Sequence, residues 1–351
     1  MNPAKTFFTI RNNRLRFAWA TAWLTLELLS LPRPARAAET NPAVTPEIFS
    51  VGMAKVCFRN VNRNDAIAAY KVFLESAGRR FGNIYTAAAE VYDDTPSFEA
   101  AIQRQPMNVA VMDPWQYLTM NIHAQTKPYF TVVENGKVGR KYLVLVRRDA
   151  GLDTLASLRG KEILQLEFVS AGVGKIWFDT LLLSAKLGAP ETFFGKLEVV
   201  PKPTAAVLPV FFGKKSACVV DEASFDLMKE LNPQVGLALQ VLARSDTLAD
   251  VLVCLREEHW QSAKFKADTI TALDELNQDP AGQQICTLFR IDRMVPFKDS
   301  QLDTVRQLRT TYESLQKEDS PSNQPMHALL QLGKNDLPPP GQSRPGRKNE
   351  P

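Results

Sequence analysis

Residues that hold metals or form disulfide frameworks are scarce in this chain. It contains four cysteines and three histidines among 351 residues, and no C-x-x-C pair. The cysteines are far apart and the histidines have no metal-ligand spacing, so we expect no metal site and no cofactor. Cys218 and Cys254 fall within apolar, strand-like runs, which favours buried free thiols, although an oxidising compartment would also permit disulfides.

Signatures of enzymatic chemistry are also missing. Ser170 lacks the G-x-S-x-G elbow because Phe168 occupies the first glycine position. The segment from Gly172 to Lys175 has neither the length of a Walker loop nor a Ser or Thr after its lysine. The histidines have no nearby partner by spacing, so we expect that the protein is not an enzyme.

Excess positive charge is confined to the N-terminus. Residues 1–37 contain six Lys and Arg against one acidic residue, a net of +5, and removing them from the chain's total of +4 leaves −1. No basic helix or basic-aromatic motif occurs in the remainder. The electrostatic footprint of a nucleic-acid-binding protein is therefore absent, and we expect no nucleic-acid partner.

The same N-terminal segment predicts export. Basic residues precede an apolar stretch of fifteen residues, Phe17 to Leu31, and Ala35-Arg36-Ala37 matches the A-x-A cleavage pattern. A membrane span needs about 20 residues. We therefore expect residues 1–37 to be a cleaved signal peptide that leaves a soluble periplasmic protein. Because no cysteine lies near the cleavage site, a lipoprotein is not expected. Glu27 lies inside the apolar stretch, and an uncleaved anchor is the alternative.

Short apolar runs alternate with helical patterns along the rest of the chain. Strands are predicted at Ile48 to Gly52, Ile84 to Tyr92, Asn108 to Met112, Glu162 to Leu166, Leu197 to Pro201, Ala217 to Asp221, Val235 to Ala243 and Asp250 to Arg256. Helical patterns separate most of these runs and close the fold, at Trp260 to Asn277, Pro280 to Leu288 and Leu302 to Leu315. Short buried strands separated by helices are typical of parallel α/β sheets.

Capping signals mark several helix ends. Asn64 can begin a helix that Gly78 would end, and Thr95-Pro96 has the pattern of a cap followed by a first-turn proline. The spacing in Asp113-Pro114-Trp115-Gln116 is that of a capping box. Asn135-Gly136 lies between two strand-like runs, Tyr129 to Glu134 and Arg140 to Arg147, and predicts a tight hairpin turn between them.

A loop of small residues is the feature most informative about function. The run Glu162 to Leu166 leads into Ser170-Ala171-Gly172-Val173-Gly174, and an apolar helical pattern follows. Glycines let backbone N–H groups converge, and a helix start adds unpaired N–H groups with partial positive charge, so this loop can hold an anion. Lys175 opposes the helix dipole by roughly 0.3–1 kcal/mol, which either an anionic ligand or simple solvent exposure would offset.

Four segments, taken in chain order, resemble one family. They are VGM at Val51 to Met53, NVAVMDPWQYL at Asn108 to Leu118, KYLVLVRRDAGLDTLASLRGKEI at Lys141 to Ile163, and DPAGQQICTLFRID at Asp279 to Asp292. Over Phe49 to Leu315 the chain resembles the phosphate/phosphite/phosphonate-binding family of periplasmic substrate-binding proteins from ABC importers.

The resemblance implies an α/β fold of two lobes, the type II periplasmic-binding-protein architecture. Each lobe would be a mostly parallel sheet flanked by helices, and two hinge strands would join the lobes. The first lobe would comprise residues 47–140 and 246–318, and the second residues 141–245. Residues 319–351 are rich in Pro, Ser, Asn and Gln, and we expect a disordered tail there.

The resemblance also implies a ligand loop, which in the family is usually Ser-Thr-Ser-Gly before a helix. If Gly174 is the motif glycine, the ligand residues are Ala171, Gly172, Val173 and Gly174, and only backbone N–H groups remain as donors. If Gly172 is, the loop begins at Val169 and keeps one hydroxyl, from Ser170. The spacing to Gly188 favours the first alignment.

Further candidates for ligand contact come from the other strand ends. Arg59 and Asn60 follow the first strand, and Asp94-Thr95 stands where the family often has Asp-Tyr. Asp113 follows the third strand, Lys175 begins the loop helix, and Lys202 follows a strand of the second lobe. Asp221 ends the run ACVVD, where it would either meet a ligand amine or cap the next helix.

The expected function is capture of a small oxyanion, phosphate-like or phosphonate-like, in the cleft between the lobes, for delivery to an ABC permease of the inner membrane. The alternative is a ligand-sensing or partner-binding protein of the same fold that feeds a membrane receptor, which the missing hydroxyls of the loop favour. An exported enzyme on a related scaffold is a third hypothesis.

Overall fold

The computed structural model describes residues 47–58, 61–104, 107–258 and 260–319. The predicted signal peptide, the tail from residue 320 onward, and Arg59, Asn60 and His259 lie outside the described residues. Asp319, the first residue of the predicted tail, is instead the last residue of the final described helix. All described residues belong to one compact unit.

Strands and helices alternate as the sequence predicts. The strands are β1 (Glu47–Ala54), β2 (Tyr85–Tyr92), β3 (Val109–Met112), β4 (Thr126–Glu134), β5 (Lys137–Val138), β6 (Tyr142–Arg147), β7 (Glu162–Leu166), β8 (Lys196–Val200), β9 (Ala217–Asp221), β10 (Leu239–Arg244), β11 (Leu252–Arg256) and β12 (Arg293–Pro296). The helices are α1 (Arg63–Phe81), α2 (Thr95–Arg104), α3 (Pro114–Thr119), α4 (Gly172–Ser184), α5 (Pro190–Phe193), α6 (Pro203–Phe211), α7 (Glu222–Leu231), α8 (Pro233–Ala238), α9 (Ala263–Asp274), α10 (Pro280–Phe289) and α11 (Asp303–Asp319).

Two sheets form the centres of two lobes. Over the described residues, the first sheet has the order β12-β4-β11-β3-β1-β2, with β5 paired to β4, and the second has the order β10-β6-β9-β7-β8. Parallel pairing is confined to β3-β1-β2 and to β9-β7-β8, and the other pairs are antiparallel. The sheets are therefore mixed rather than mostly parallel, because strands that pass between the lobes run opposite to the β-α-β strands beside them.

The chain passes between the sheets through two segments that lie side by side. Arg140 and Leu248 exchange backbone hydrogen bonds of 2.7 and 2.8 Å, and the Ser245 amide donates to the Tyr142 carbonyl at 2.9 Å. The Ser245 hydroxyl accepts from the Tyr142 amide at 2.8 Å. These bonds join the two connections into a short ladder, which is a narrow link compared with either sheet.

Apolar packing continues from one sheet to the other. A single cluster of buried side chains includes Phe98 and Met112 beside the first sheet and Val144 and Phe178 beside the second. A second cluster lies within the first lobe, around Phe49. The lobes are thus in contact in this conformation. Among the described residues, no helix combines the length and apolarity required to span a bilayer.

Several local predictions change in the structure. Helix α1 begins after Asn62, whose side chain accepts from the Asn64 amide, and ends at Gly82 with φ +70°. Asn64 and Gly78 are therefore inside this helix rather than at its ends. The cap of α2 is Asp94, which accepts from the Ser97 amide at 2.8 Å, and Thr95 is already helical. In both cases the polar residue that caps the helix lies one or two positions before the residue predicted as the cap.

Two predicted strands are also different. Asn135 and Gly136 form the predicted tight turn, with φ of +50° and +72°, but it joins β4 to the short β5. The run Arg140 to Arg147, expected as the second hairpin strand, crosses instead to the other sheet as β6. Val235–Ala238, expected as strand, belongs to α8, because Pro233 follows the Asn232 cap and favours a helical first turn.

Candidate functional site

The loop after β7 reaches the start of α4 without a side-chain cap. A 3₁₀ turn at Glu167–Ser170 leads to Ala171, which has the extended backbone of a cap residue but only a methyl group. The first amides of a helix need partners from elsewhere when the cap residue offers none. The Ser170 hydroxyl donates to the Glu167 carbonyl at 2.6 Å and does not serve those amides.

A carboxylate from the other sheet supplies the partner. Asp113 follows β3 and caps α3 in the predicted capping box with Gln116, and its Oδ1 accepts from the Trp115 amide at 2.8 Å. Its Oδ2 accepts from the Val173 amide at 3.1 Å. One carboxylate therefore caps two helices, one on each sheet, and joins residues that are 60 positions apart in the chain.

Gly172 is required for this approach. Its φ is +55°, in the region that favours glycine. A methyl group at this position would overlap the Asp113 carboxylate and lie 2.9 Å from Cγ2 of Val56. The missing side chain leaves room for an anionic oxygen above the start of α4.

Burial dominates the electrostatics of Asp113. The residue is 8% exposed. Desolvation raises the pKa of its carboxyl to about 7, against the opposing effect of the Val173 and Trp115 amides, and the charge of Asp250 raises it further. The hydrogen bonds from these two amides therefore offset only part of the desolvation cost of the carboxylate's charge.

Lys175 is turned toward its own helix. Its ammonium group pairs with Asp179, one turn later, at 2.5 Å. Burial opposes the charge of Lys175, but the hydrogen bond and charge of Asp179 outweigh it and raise the pKa. The Lys175 amide donates to the Ala171 carbonyl at 3.3 Å. In this conformation the amides of Val173 and Lys175 are both engaged within the protein.

The remaining predicted residues divide into those near Asp113 and those elsewhere. Thr95 lies close, since its hydroxyl accepts from Nε2 of Gln116 at 3.0 Å. Asp94 caps α2, and exposed Lys202 precedes α6. Asp221 caps α7, accepting from the Ser224 amide at 3.0 Å and from its hydroxyl at 2.6 Å. The capping alternative for Asp221 is therefore confirmed.

A cavity of about 400 Å³ lies between the lobes, and its lining includes neither Asp113 nor any residue from Ser170 to Lys175. Phe168 and Leu166 from the loop, Asp221 from the end of β9, and Arg140 from the connection between the sheets contribute to its lining. The β4–β5 turn and α7 form further parts of its walls, together with Pro203 and Arg290. The space is large enough for a small solute.

Arg140 is the residue of this region that sequence reasoning missed. Its side chain is 3% exposed, and Nη2 donates to Glu134 and Asp250, each at 2.7 Å. The Phe168 ring lies 4.3 Å from the guanidinium carbon. Nε and Nη1 are buried and have no hydrogen-bond partner among the described residues. No local pattern marks this arginine, because its partners lie on other segments.

The family model described as "ABC transporter, phosphonate, periplasmic substrate-binding protein" matches residues 61–302. The chain belongs to this family. Membership confirms the predicted family, and it makes the chain a substrate-binding component of the ABC-transporter type. No curated protein matches the sequence.

Solved structures of low identity share the fold of this family member. A Xanthomonas citri protein bound to ATP is 13% identical, with a TM-score of 0.58 over 78% of this chain and 100% of that chain. The binding-protein component of an ABC phosphonate transporter from Pseudomonas aeruginosa is 12% identical, with a TM-score of 0.56 over 82% and 94%. PhnD1 from Prochlorococcus marinus, in complex with methylphosphonate, is 10% identical, with a TM-score of 0.53 over 76% and 99%. These similarities confirm the predicted two-lobe fold.

Metal-ligating side chains are dispersed, and the thiols are buried, in the described part of the chain. No group of three or more His, Cys, Asp or Glu side chains is placed there to hold a metal ion. Cys57, Cys218, Cys254 and Cys286 are all buried free thiols. Burial raises the pKa of the Cys218 and Cys254 thiols, which makes both poor nucleophiles.

Proposed function

We propose that this protein captures a small oxyanion of the phosphate or phosphonate class between its two lobes in the periplasm and delivers it to an ABC permease. The lobes comprise residues 47–140 with 246–318, and residues 141–245, and they close about the two paired connections. The N-terminal segment is a cleaved signal peptide without a lipid anchor. The protein binds its solute without chemical change and is not an enzyme.

The Val173–Asp113 hydrogen bond carries this proposal. It places an anionic oxygen 3.1 Å from the Val173 amide, in the first turn of α4 and at the junction of the two lobes. A phosphoryl oxygen has the same charge and accepts the same bond, and a helix start favours it through the backbone dipoles. The carboxylate therefore stands where an oxyanion oxygen of the solute would lie, and the methylphosphonate bound by PhnD1 is consistent with that chemistry.

The direct experiment is a thermal-shift and calorimetric screen of the exported chain. Phosphate, phosphite, methylphosphonate, sulfate and an alkylsulfonate would be compared at equal ionic strength. A ligand at 100 times its dissociation constant adds about 2.7 kcal/mol of stability, which is readily measured. Stabilisation by at least one phosphorus oxyanion is expected. A flat response to every anion would contradict the proposal.

Two observations favour the sensor alternative. Ala171 supplies no hydroxyl to the loop, and the protein's own carboxylate already occupies the Val173 amide. If no anion binds, the two-lobe unit would be tested instead for a membrane-receptor partner by crosslinking in cells. Recovery of a permease subunit would favour transport, and recovery of a receptor would favour sensing.

A further inference from the structure

Resting on the proposed function, we infer that Arg140 extends the oxyanion site into a second compartment, which binds an uncharged hydrogen-bond acceptor of the solute. The compartment is the cavity of about 400 Å³ that Arg140 lines. The solute is then an oxyanion with a polar, uncharged substituent, such as a phosphonate that ends in a carboxamide, rather than a bare inorganic anion.

Arg140 has hydrogen-bond donors that the fold leaves unused. Its side chain is 3% exposed, and Nη2 donates to Glu134 and Asp250 at 2.7 Å each. Nε and Nη1, which carry three of the five N–H donors of a guanidinium, are buried without a hydrogen-bond partner among the described residues. Because buried donors without acceptors are costly, an acceptor that reaches them from the cavity gains more than it would in water.

The charges around Arg140 favour a neutral acceptor over an anion. Two carboxylates already share its single positive charge, so a third anionic group beside it would be repelled. Five acidic and four basic side chains line the cavity, which therefore has no excess of positive charge. Lys141 and Arg290 line it without an ion pair to another described residue, but Arg290 is exposed and Lys141 is only half-buried, so water screens both charges.

The carboxylates of the lining do not offer a site for an ammonium group. All but the exposed Glu230 are engaged by a donor of the protein, in the pairs Glu134–Arg140, Asp221–Ser224, Glu222–Arg244 and Asp226–Lys229. A cationic substituent would compete with these partners, whereas a carbonyl oxygen meets donors that are not engaged. The favoured substituent is therefore uncharged.

Phe168 connects the cavity to the oxyanion position. Its ring lies 4.3 Å from the guanidinium carbon of Arg140, lines the cavity, and belongs to the loop that leads to the Val173 amide. Asp250, which pairs with Arg140, also lies close enough to Asp113 for its charge to raise the pKa of that carboxyl. An oxyanion held at the start of α4 extends its substituent toward Arg140, whose buried donors become accessible when the half-buried Phe168 ring turns aside.

The test compares phosphonates of equal length whose terminal groups differ. Calorimetry at pH 7.5 would give dissociation constants of the exported chain for alkylphosphonates that end in a carboxamide, a methyl group, a carboxylate or an ammonium group. Each would be tried with several lengths of methylene chain, because the reach from α4 to Arg140 decides which member fits. The carboxamide and the carboxylate have nearly the same shape and differ in charge.

At the best length, the carboxamide should bind at least about 10-fold more tightly than the other three, because it alone gives the Arg140 donors an uncharged acceptor. Arg140→Lys should reduce this preference to about 3-fold or less, since lysine keeps the charge for Glu134 and Asp250 but lacks the planar set of donors. Arg147→Lys is the control and should retain the preference. Every side-chain nitrogen of Arg147 has a partner, and the residue is not part of the cavity lining.

NMR of the wild type keeps the inference testable if Arg140→Lys does not fold. The Nε–H signal of Arg140 would be followed while the best carboxamide and its methyl counterpart are added in separate titrations. The carboxamide should shift this signal, and the methyl compound should leave it in place. A signal that moves with neither compound, or equally with both, would overturn the inference.

The calorimetric outcomes also separate this inference from the proposed function. Equal affinity for the carboxamide and methyl compounds, tighter binding of the carboxylate or ammonium compound, or a preference that survives in Arg140→Lys would overturn the role of Arg140. If methylphosphonate or phosphate still binds the wild type in those cases, oxyanion capture stands. If no phosphorus oxyanion binds the wild type, the proposed function fails as well.

Discussion

Helices α4 and α7 begin at neighbouring strand ends of the second sheet, but their first turns are served differently. Asp221, the last residue of β9, caps α7 from its own strand through Ser224. At α4 the cap residue is Ala171, and the Val173 amide is served by Asp113 from the first sheet. A helix start whose amides are capped by its own segment has a structural role. A helix start whose amide depends on a distant residue can exchange that residue for a ligand.

The pH dependence of stability should show the largest effect of this difference. The pKa of Asp113 is raised from 3.8 to about 7, so the folded state binds its proton more tightly than the unfolded state does. Stability from this group is full below about pH 4 and is lost as the pH rises toward 7, by at most ~4 kcal/mol. Urea unfolding of the wild type against Asp113→Asn from pH 4 to 8 measures it. Parallel profiles for the two proteins would refute the shift.

Giving α4 its own cap should abolish anion binding. In Ala171→Asp the new carboxylate can accept from the Val173 or Gly174 amide, as Asp221 does for α7, and it repels both Asp113 and a solute. We expect phosphate affinity to fall by about 100-fold or more, because the helix-start donors are no longer available. Calorimetry measures the loss. Ala189→Asp is the control, since Ala189 likewise begins a helix without a side-chain cap. Undiminished affinity in Ala171→Asp would mean that the solute binds elsewhere.

Closing the gap above α4 should destabilise the protein. Gly172→Ala places a methyl group against the Asp113 carboxylate and Val56, at a backbone φ of +55°. We expect a loss of about 2 kcal/mol in the free energy of unfolding. Gly136→Ala isolates the backbone cost, because φ there is +72° and no atom lies within 4 Å of the added group. The two variants should differ by about 1 kcal/mol, and equal losses would show that the lobes are not in contact at Gly172.

Removing the cap of α7 should have the smallest effect. Asp221→Ala leaves the Ser224 amide without its acceptor and should lower the free energy of unfolding by about 1 kcal/mol. Thermal unfolding without solute measures this. If stability is unchanged and phosphate binding weakens instead, Asp221 contacts the solute rather than capping α7, and the contrast between the two helix starts disappears.

The sequence predicts those parts of the molecule that depend on neighbours along the chain. The capping box of Asp113, strand β9, and the turn at Asn135-Gly136 have local spacing signals, and the structure contains all three. The loop of small residues that contains Ala171 and Gly172 also has a local signal, because its lack of side-chain hydroxyls from Ala171 to Gly174 can be read from the sequence. The short strand β12 escaped prediction because its stability comes from pairing with β4.

The contacts that define the site could not be predicted in this way. Asp113 meets Val173 across 60 positions, and Arg140 meets Asp250 across 110. Neither pair has a spacing that distinguishes it from other charged or apolar residues. The first depends on how the two sheets pack, and the second on how the two connections pair at Arg140 and Leu248. Sequence could therefore identify the amides proposed as oxyanion donors and place Asp113 among the candidate residues, but it could not predict the hydrogen bond between Val173 and Asp113.

The most direct test of the account follows two amide protons by NMR while phosphate is titrated into the exported chain. We expect the Val173 signal to shift with phosphate concentration and to saturate with the dissociation constant measured by calorimetry, whereas the Ser224 signal at the start of α7 should stay in place. Phosphate binding that leaves the Val173 signal unmoved, or that moves the Ser224 signal instead, would contradict the claim that the start of α4 is the oxyanion receptor.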